Sequence, residues 1–159
     1  MDDKVTIDPW GSSQSTDYSR IIENFGLSSM DGVAIDSPSR LHRRGVVFAH
    51  RDLDMVLNAK KSGNPFGVLT GLMPSGKMHL GHSMVIDQVN WFQEQGGDVT
   101  IAVADLESTA TRGISLSEGR KVATEEYVAN YAALGLDPNK TTVYFQSERN
   151  VVQKLGFQL

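Results

Sequence analysis

Two histidines, three residues apart, close the segment of this sequence whose residue types could do chemistry. Gly71-Leu72-Met73-Pro74-Ser75-Gly76-Lys77-Met78-His79-Leu80-Gly81-His82 follows a short apolar run and leads into a helical pattern. On the first turn of a helix, residues i and i+3 point the same way. The amides and dipole of a helix N-terminus favour an anion at that place. His79 and His82 would then offer imidazole N–H donors to charge developing on a phosphate. Gly81 has no Cβ, so a nucleotide could lie against the helix backbone. Pro74, Ser75 and Gly76 would shape the turn and leave room for it, with Gly71 at the entry. The bland alternative is a capped helix with two exposed histidines. A second phosphate reading is a Walker A loop, since Gly71, Gly76 and Lys77 fit that pattern. Its last position needs Ser or Thr to hold Mg²⁺, and here it is Met78. Asp105, after an apolar run, would imitate the partner aspartate of that motif.

The elements that must position this segment read as β-α-β-α-β from residue 66 onward. Phe66 to Thr70 is a short apolar strand, and Met78 to Gln95 a helix with Ile86, Val89 and Phe92 along one face. Gly96-Gly97 ends it. Val99 to Ala104 is a near-continuous apolar run, as expected of a strand buried on both faces. Ser115-Leu116-Ser117-Glu118 reads as a capping box. The helix it opens carries Leu116, Ala123, Tyr127, Tyr131 and Leu134 at i+3/i+4 spacing and ends at Gly135. Thr142 to Phe145 is a third strand. Alternating strands and helices imply a parallel sheet with right-handed crossovers. Ligands sit at the carboxyl ends of such strands, so loops 71–78, 105–113 and 147–150 should share one rim. Trp91 reads as packing.

Before residue 65 the character differs. Asp17 to Phe25 reads as a short helix, Val46-Val47-Phe48-Ala49 as a short strand, and Leu53 to Leu57 as a helix stopped at Ser62-Gly63-Asn64-Pro65. We therefore expect an N-terminal extension over 1–64 and a nucleotide-binding half-domain over 65–159. His50-Arg51-Asp52 reads by itself as a solvated turn. Arg40, Arg43, Arg44 and Arg51 form a local basic cluster, read as solvated surface.

Composition excludes rather than assigns. The 159 residues are 40% hydrophobic and 21% charged, with no cysteine and a net charge of −4. No disulfide or thiolate metal site can form. The overall charge does not favour nucleic acid, so any such contact needs a local patch. No apolar run approaches the roughly 20 residues that cross a bilayer, and the start lacks a secretory pattern. A cytoplasmic protein with no membrane partner is expected.

Read together, Pro74-Ser75-Gly76 and His79-Leu80-Gly81-His82 resemble the HIGH element of the tyrosyl/tryptophanyl branch of class I aminoacyl-tRNA synthetases. Thr100 to Glu107 resembles the amino-acid-side strand and loop of that branch. Asp8-Pro9-Trp10, Asp17-Tyr18 to Phe25-Gly26, and Arg43-Arg44-Gly45-Val46-Val47-Phe48-Ala49-His50-Arg51-Asp52 resemble the extension of archaeal and eukaryotic tryptophanyl enzymes, which tyrosyl enzymes lack.

The resemblance implies the first half of a Rossmann-type (HUP-like) sheet. It implies ATP with Mg²⁺ as substrate, with no protein-bound metal. His79 and His82 would be catalytic, and Gly71, Pro74, Ser75, Gly76, His79, Gly81 and His82 would serve ATP. Glu107 would meet L-tryptophan, since a carboxylate accepts from an ammonium or an indole N–H. The implied reaction is tryptophan activation followed by transfer to tRNA(Trp), with a homodimer as the full-length state. Leu69 and Ala102 depart from the tyrosine and glutamine of eukaryotic members, which help recognise the indole nitrogen. A KMSKS-type loop is missing: Lys60-Lys61-Ser62 lies before the histidines, on the wrong side. On this reading the chain is a truncated portion, poor at charging tRNA by itself. Tyrosyl specificity, or a non-catalytic adenine-nucleotide-binding module, are the alternatives.

Overall fold

The structure, a computed structural model, describes residues 18–156, and its contacts divide it into two units between Lys61 and Ser62. The Asp8-Pro9-Trp10 element and Asp17 lie outside the described residues.

In the first unit, α1 (Tyr18–Phe25) buries Ile21 and ends at Gly26 with φ +58°. β1 (Ser28–Ser29) pairs antiparallel with β2 (Ala49–His50), and between them lies the single turn of α2 (Arg40–Arg43). The strand expected at Val46–Ala49 is thus displaced to Ala49–His50. The cause is the end of α2: Gly45 takes φ +65°, and Val46 N donates to Leu41 O at 3.0 Å. This helix-closing bond occupies the amide that a strand would need. α3 (Leu53–Lys61) forms where the apolar pattern predicts. Its first amide, Leu53 N, donates to His50 Nδ1 at 3.2 Å, while Arg51 reaches back to the Phe25 carbonyl at 2.7 Å. His50 and Arg51 are therefore bonded pieces of the corner before α3, not merely a solvated turn.

The second unit holds β3 (Gly67–Leu72), α4 (Leu80–Glu94), β4 (Asp98–Val103), α5 (Asp105–Arg112), α6 (Leu116–Val122), α7 (Ala129–Ala133), β5 (Thr141–Phe145) and α8 (Asn150–Gly156). The strands are parallel in the order β3-β4-β5, with Leu69 opposite Thr100, Gly71 opposite Ala102 and Ile101 opposite Val143. This is the parallel α/β sheet read from the sequence. One face of it, with Leu72, Val99 and Ile101, packs with Ile86, Val89, Tyr127, Tyr131 and Leu136 into the core.

Three local expectations need correction. Residues 105–112 are a helix, not a loop: Asp105 and Glu107 sit in its first turn, where acidic groups complement the dipole. The helix from Ser115 is not uniform, because a π-helical segment, Ala123–Val128, joins α6 to α7. Its cap is a one-way bond, Glu118 N donating to the Ser115 hydroxyl. On α4 Ile86 and Val89 are buried and Phe92 half-buried along the expected face, and Trp91 and Gln93 are buried as well. Gln93 is a polar staple: Oε1 accepts from Asp137 N at 2.7 Å, and Nε2 donates to Lys140 O at 3.1 Å and to the Thr141 hydroxyl at 2.8 Å. These bonds fix the entry into β5.

Gly97, between α4 and β4, is a close approach rather than just a helix stop. A Cβ there would lie 2.6 Å from Phe66 Cε2 and 3.1 Å from the Phe92 carbonyl. Gly97→Ala should lower unfolding stability by about 1–3 kcal/mol, measured by urea denaturation. An unchanged midpoint would mean that the strand entry relaxes freely.

Candidate functional site

His79 is the N-cap of α4, in extended conformation, and two reciprocal bonds close the turn. Gly81 N donates to His79 Nδ1 at 3.2 Å, and His79 N donates to His82 Nδ1 at 3.3 Å. In these bonds each Nδ1 is the acceptor, which leaves Nε2 as the ring nitrogen that offers an N–H. The two rings lie 4.0 Å apart, centroid to centroid. The arrangement is a capping box in which imidazoles take the parts usually played by a hydroxyl and a carboxylate. Burial holds the His82 pKa below the ordinary histidine value, and the neighbouring His79 pushes the same way. The neutral, accepting form of His82 is therefore kept to lower pH. Its contribution to the folded state is complete above the ordinary value and is lost as pH falls through the folded one.

Gly81 has a local reason to be glycine, since a Cβ would stand 3.1 Å from the His79 ring. Gly76 adopts φ +151°, a backbone region that favours glycine. Ser75, Gly76, His79 and Gly81 are exposed, while Pro74 is buried. Gly71 lies within β3, so the Walker A reading loses its loop glycine to a strand.

The rim expected at the carboxyl ends of the strands is tied by named bonds. Asp105, fully buried at 0% exposure, accepts from Ser147 N at 3.0 Å and Leu106 N at 3.1 Å, and from the Ser147 hydroxyl. It joins the end of β4 to the turn after β5. The Thr111 hydroxyl oxygen lies 3.6 Å from Met73 Sδ, where α5 meets the loop after β3. Gly119 of α6 lies under that loop, its missing Cβ placed 3.8 Å from Pro74 Cγ. Tyr127, on the π-helical segment, sets its ring edge-on to His82 at 5.4 Å.

Glu107 stands exposed on α5, on the same rim, with its carbonyl accepting from the Thr111 hydroxyl. Leu69 and Ala102 lie on adjacent strands, Leu69 72% exposed and Ala102 buried. Asp105, Gly119 and Tyr127 were not read as parts of this site from the sequence. For Gly119 a signal existed: an isolated glycine inside a helical pattern costs about 1 kcal/mol and marks a packing demand.

A parallel strand, a proline-serine-glycine turn and a helix opened by His-x-Gly-His are brought together at the carboxyl end of the sheet. The sequence profile described as tRNA synthetases class I (W and Y) matches residues 60–157, and the chain belongs to that family. Among curated relatives it is 45% identical to the tryptophan–tRNA ligase of Methanosarcina acetivorans, over 100% of this chain and 36% of that protein. It is 46% identical to that of Aeropyrum pernix, over 90% of this chain and 40% of the relative. The crystal structure of the tryptophanyl-tRNA synthetase from Aeropyrum pernix K1 superposes with TM-score 0.81 at 41% identity, covering 96% of this chain and 45% of that one. That of Trypanosoma brucei gives 0.76 at 28% identity, covering 86% and 46%. The chain spans less than half the length of these relatives. Among the described residues no helix is long and apolar enough to cross a membrane.

Proposed function

We propose that this chain carries the ATP-handling half of a tryptophan–tRNA ligase, which activates L-tryptophan to tryptophanyl-adenylate and passes it to tRNA(Trp). The observation that carries the reading is the imidazole capping box at the start of α4. With both Nδ1 atoms used by the cap, the Nε2–H groups of His79 and His82 are the donors left for a ligand. Fixed donors at a helix N-terminus suit negative charge that grows on the α-phosphate as pyrophosphate leaves. ATP enters with Mg²⁺ as part of the substrate. Ser75, Gly76 and Gly81 are the exposed, small residues on which the nucleotide would rest, with Gly71 in the strand that leads into the turn and buried Pro74 supporting it from beneath. No covalent protein nucleophile is needed; positioning and electrostatics do the chemistry.

Tryptophan is the amino acid because the named relatives at 45% and 46% identity are tryptophan–tRNA ligases. Leu69 and Ala102 give the sheet beside the rim an apolar character, so indole recognition here rests on shape and on Glu107. A cytoplasmic protein that is a homodimer at full length completes the reading.

Pyrophosphate exchange across the amino acids, run on the full-length protein, tests the assignment: tryptophan should support it, and exchange driven by tyrosine instead would replace the reading. Glu107→Ala should raise KM for tryptophan at least about tenfold with KM for ATP little changed, as expected when a donor loses its acceptor. Equal effects on both substrates would mark a folding defect, and no effect would remove Glu107 from the site.

A further inference from the structure

The helix behind the histidines carries one buried stripe four residues apart: Gly119, Ala123, Tyr127 and Tyr131. It meets the histidine loop in two places. Gly119 lies against Pro74, and Tyr127 against His82. Between them the backbone leaves α-helical form for the π-helical segment Ala123–Val128. A π-turn adds a residue to the circuit and so rotates the downstream side chains relative to the upstream ones. Such segments often stand at functional sites. Here the wide turn contains Tyr127. The residue is 1% exposed, and its buried hydroxyl has no hydrogen-bond partner among the described residues. A buried, unpaired hydroxyl is costly, so the residue is not explained by its polar atom. Its ring, 73° to the plane of His82, meets the imidazole in the edge-to-face arrangement that aromatic pairs prefer.

We propose that Tyr127 is a positioning residue for His82: the π-helical turn presents its ring to the back of the imidazole and fixes the ring plane from which Nε2–H is offered. The proposal rests on His82 acting on ATP. It divides the work between the rings: His79 and the cap hold Nδ1, and Tyr127 holds the orientation about the ring axis. The burial that keeps His82 neutral is consistent with this contact. His79, on the same turn, and Tyr127, on the helix behind, are the titratable groups in ring contact with His82.

Tyr127→Phe keeps the ring and removes the unpaired hydroxyl, whereas Tyr127→Leu removes the ring. In tryptophan-dependent pyrophosphate exchange by the full-length protein, Tyr127→Phe should retain kcat within about twofold. Tyr127→Leu should lose at least about tenfold in kcat with KM for both substrates little changed, the pattern of a misplaced group that acts in the transition state. In parallel, proton NMR of the unsubstituted protein should show cross-relaxation between the Tyr127 ring and the His82 ring. The His82 titration midpoint should rise in Tyr127→Leu and not in Tyr127→Phe. Absence of the cross-relaxation, or an unmoved midpoint in a folded Tyr127→Leu variant, overturns the proposal whatever the activity. A raised midpoint with unchanged kcat would overturn the positioning role, and kcat in His82→Ala would then decide separately whether His82 acts in the chemistry. Should the leucine variant not fold, the cross-relaxation decides.

Discussion

In the full-length enzyme, His82→Ala should cut kcat for tryptophan-dependent pyrophosphate exchange by about 100- to 1000-fold, while tryptophan binding changes little. The size comes from the role: one preorganised donor to charge that exists only in the transition state is worth that much. The binding of tryptophan does not use the imidazole, so its dissociation constant is the internal control. Alanine also removes the acceptor for His79 N, which loosens the cap. Asparagine at position 82 keeps the cap, because its side-chain oxygen can accept that amide, while its shorter NH2 replaces the imidazole donor. If His82→Asn restored the melting temperature but not the rate, the placement of the imidazole Nε2–H would stand as the catalytic need. If it restored both, an imidazole would not be required. An unchanged kcat in the alanine variant would refute the assignment.

The second large effect is on stability and falls on Asp105. This carboxylate is fully buried and accepts from three donors, two of them backbone amides and two of the three on Ser147. Asp105→Ala strands those donors in the interior at a cost of about 1–3 kcal/mol each where water cannot reach them. A total loss of about 3 kcal/mol is expected on that basis, read from chemical denaturation of the chain. Asp105→Asn keeps an acceptor for the amides and should lose less than half as much. Equal losses in the two variants would show that charge, not acceptor geometry, sets the cost. No loss in either would show that the turn after β5 holds without the clamp.

The sheet was legible because its signal is local. Val99 to Ala104 reads as a buried strand from a near-continuous apolar run, and β4 forms there. The histidine pair was legible as a helix opening for the same reason. The contacts that escaped a reading of the sequence depend on partners far along the chain. Asp105 and Ser147 are 42 residues apart, and Gln93 and Asp137 are 44 apart. No spacing rule announces such pairs. The reading of 105–113 as a loop failed because Asp105, Ser108 and Thr109 are weak helix formers by propensity. In place, the Ser108 and Thr109 hydroxyls both donate to the Asp105 carbonyl at 3.0 Å, which ties the first turn from within. The strand expected at Val46 failed to a competing helix end, and the π-helical segment has no composition of its own to betray it.

The imidazole cap has a consequence for how this loop can drift over time. The turn is closed by the two histidines and backed by Gly119 and Tyr127, so nothing in its geometry depends on the side chain between His79 and Gly81. That residue, Leu80, is 74% exposed. The histidines are bound to the turn's backbone through their own ring nitrogens, whereas the side chain at position 80 is coupled to neither. A lineage can therefore exchange Leu80 for side chains of other sizes without moving the donors. His79, Gly81 and His82 are coupled instead, because the two imidazoles close the turn on each other's backbone and a Cβ at position 81 would stand 3.1 Å from the His79 ring.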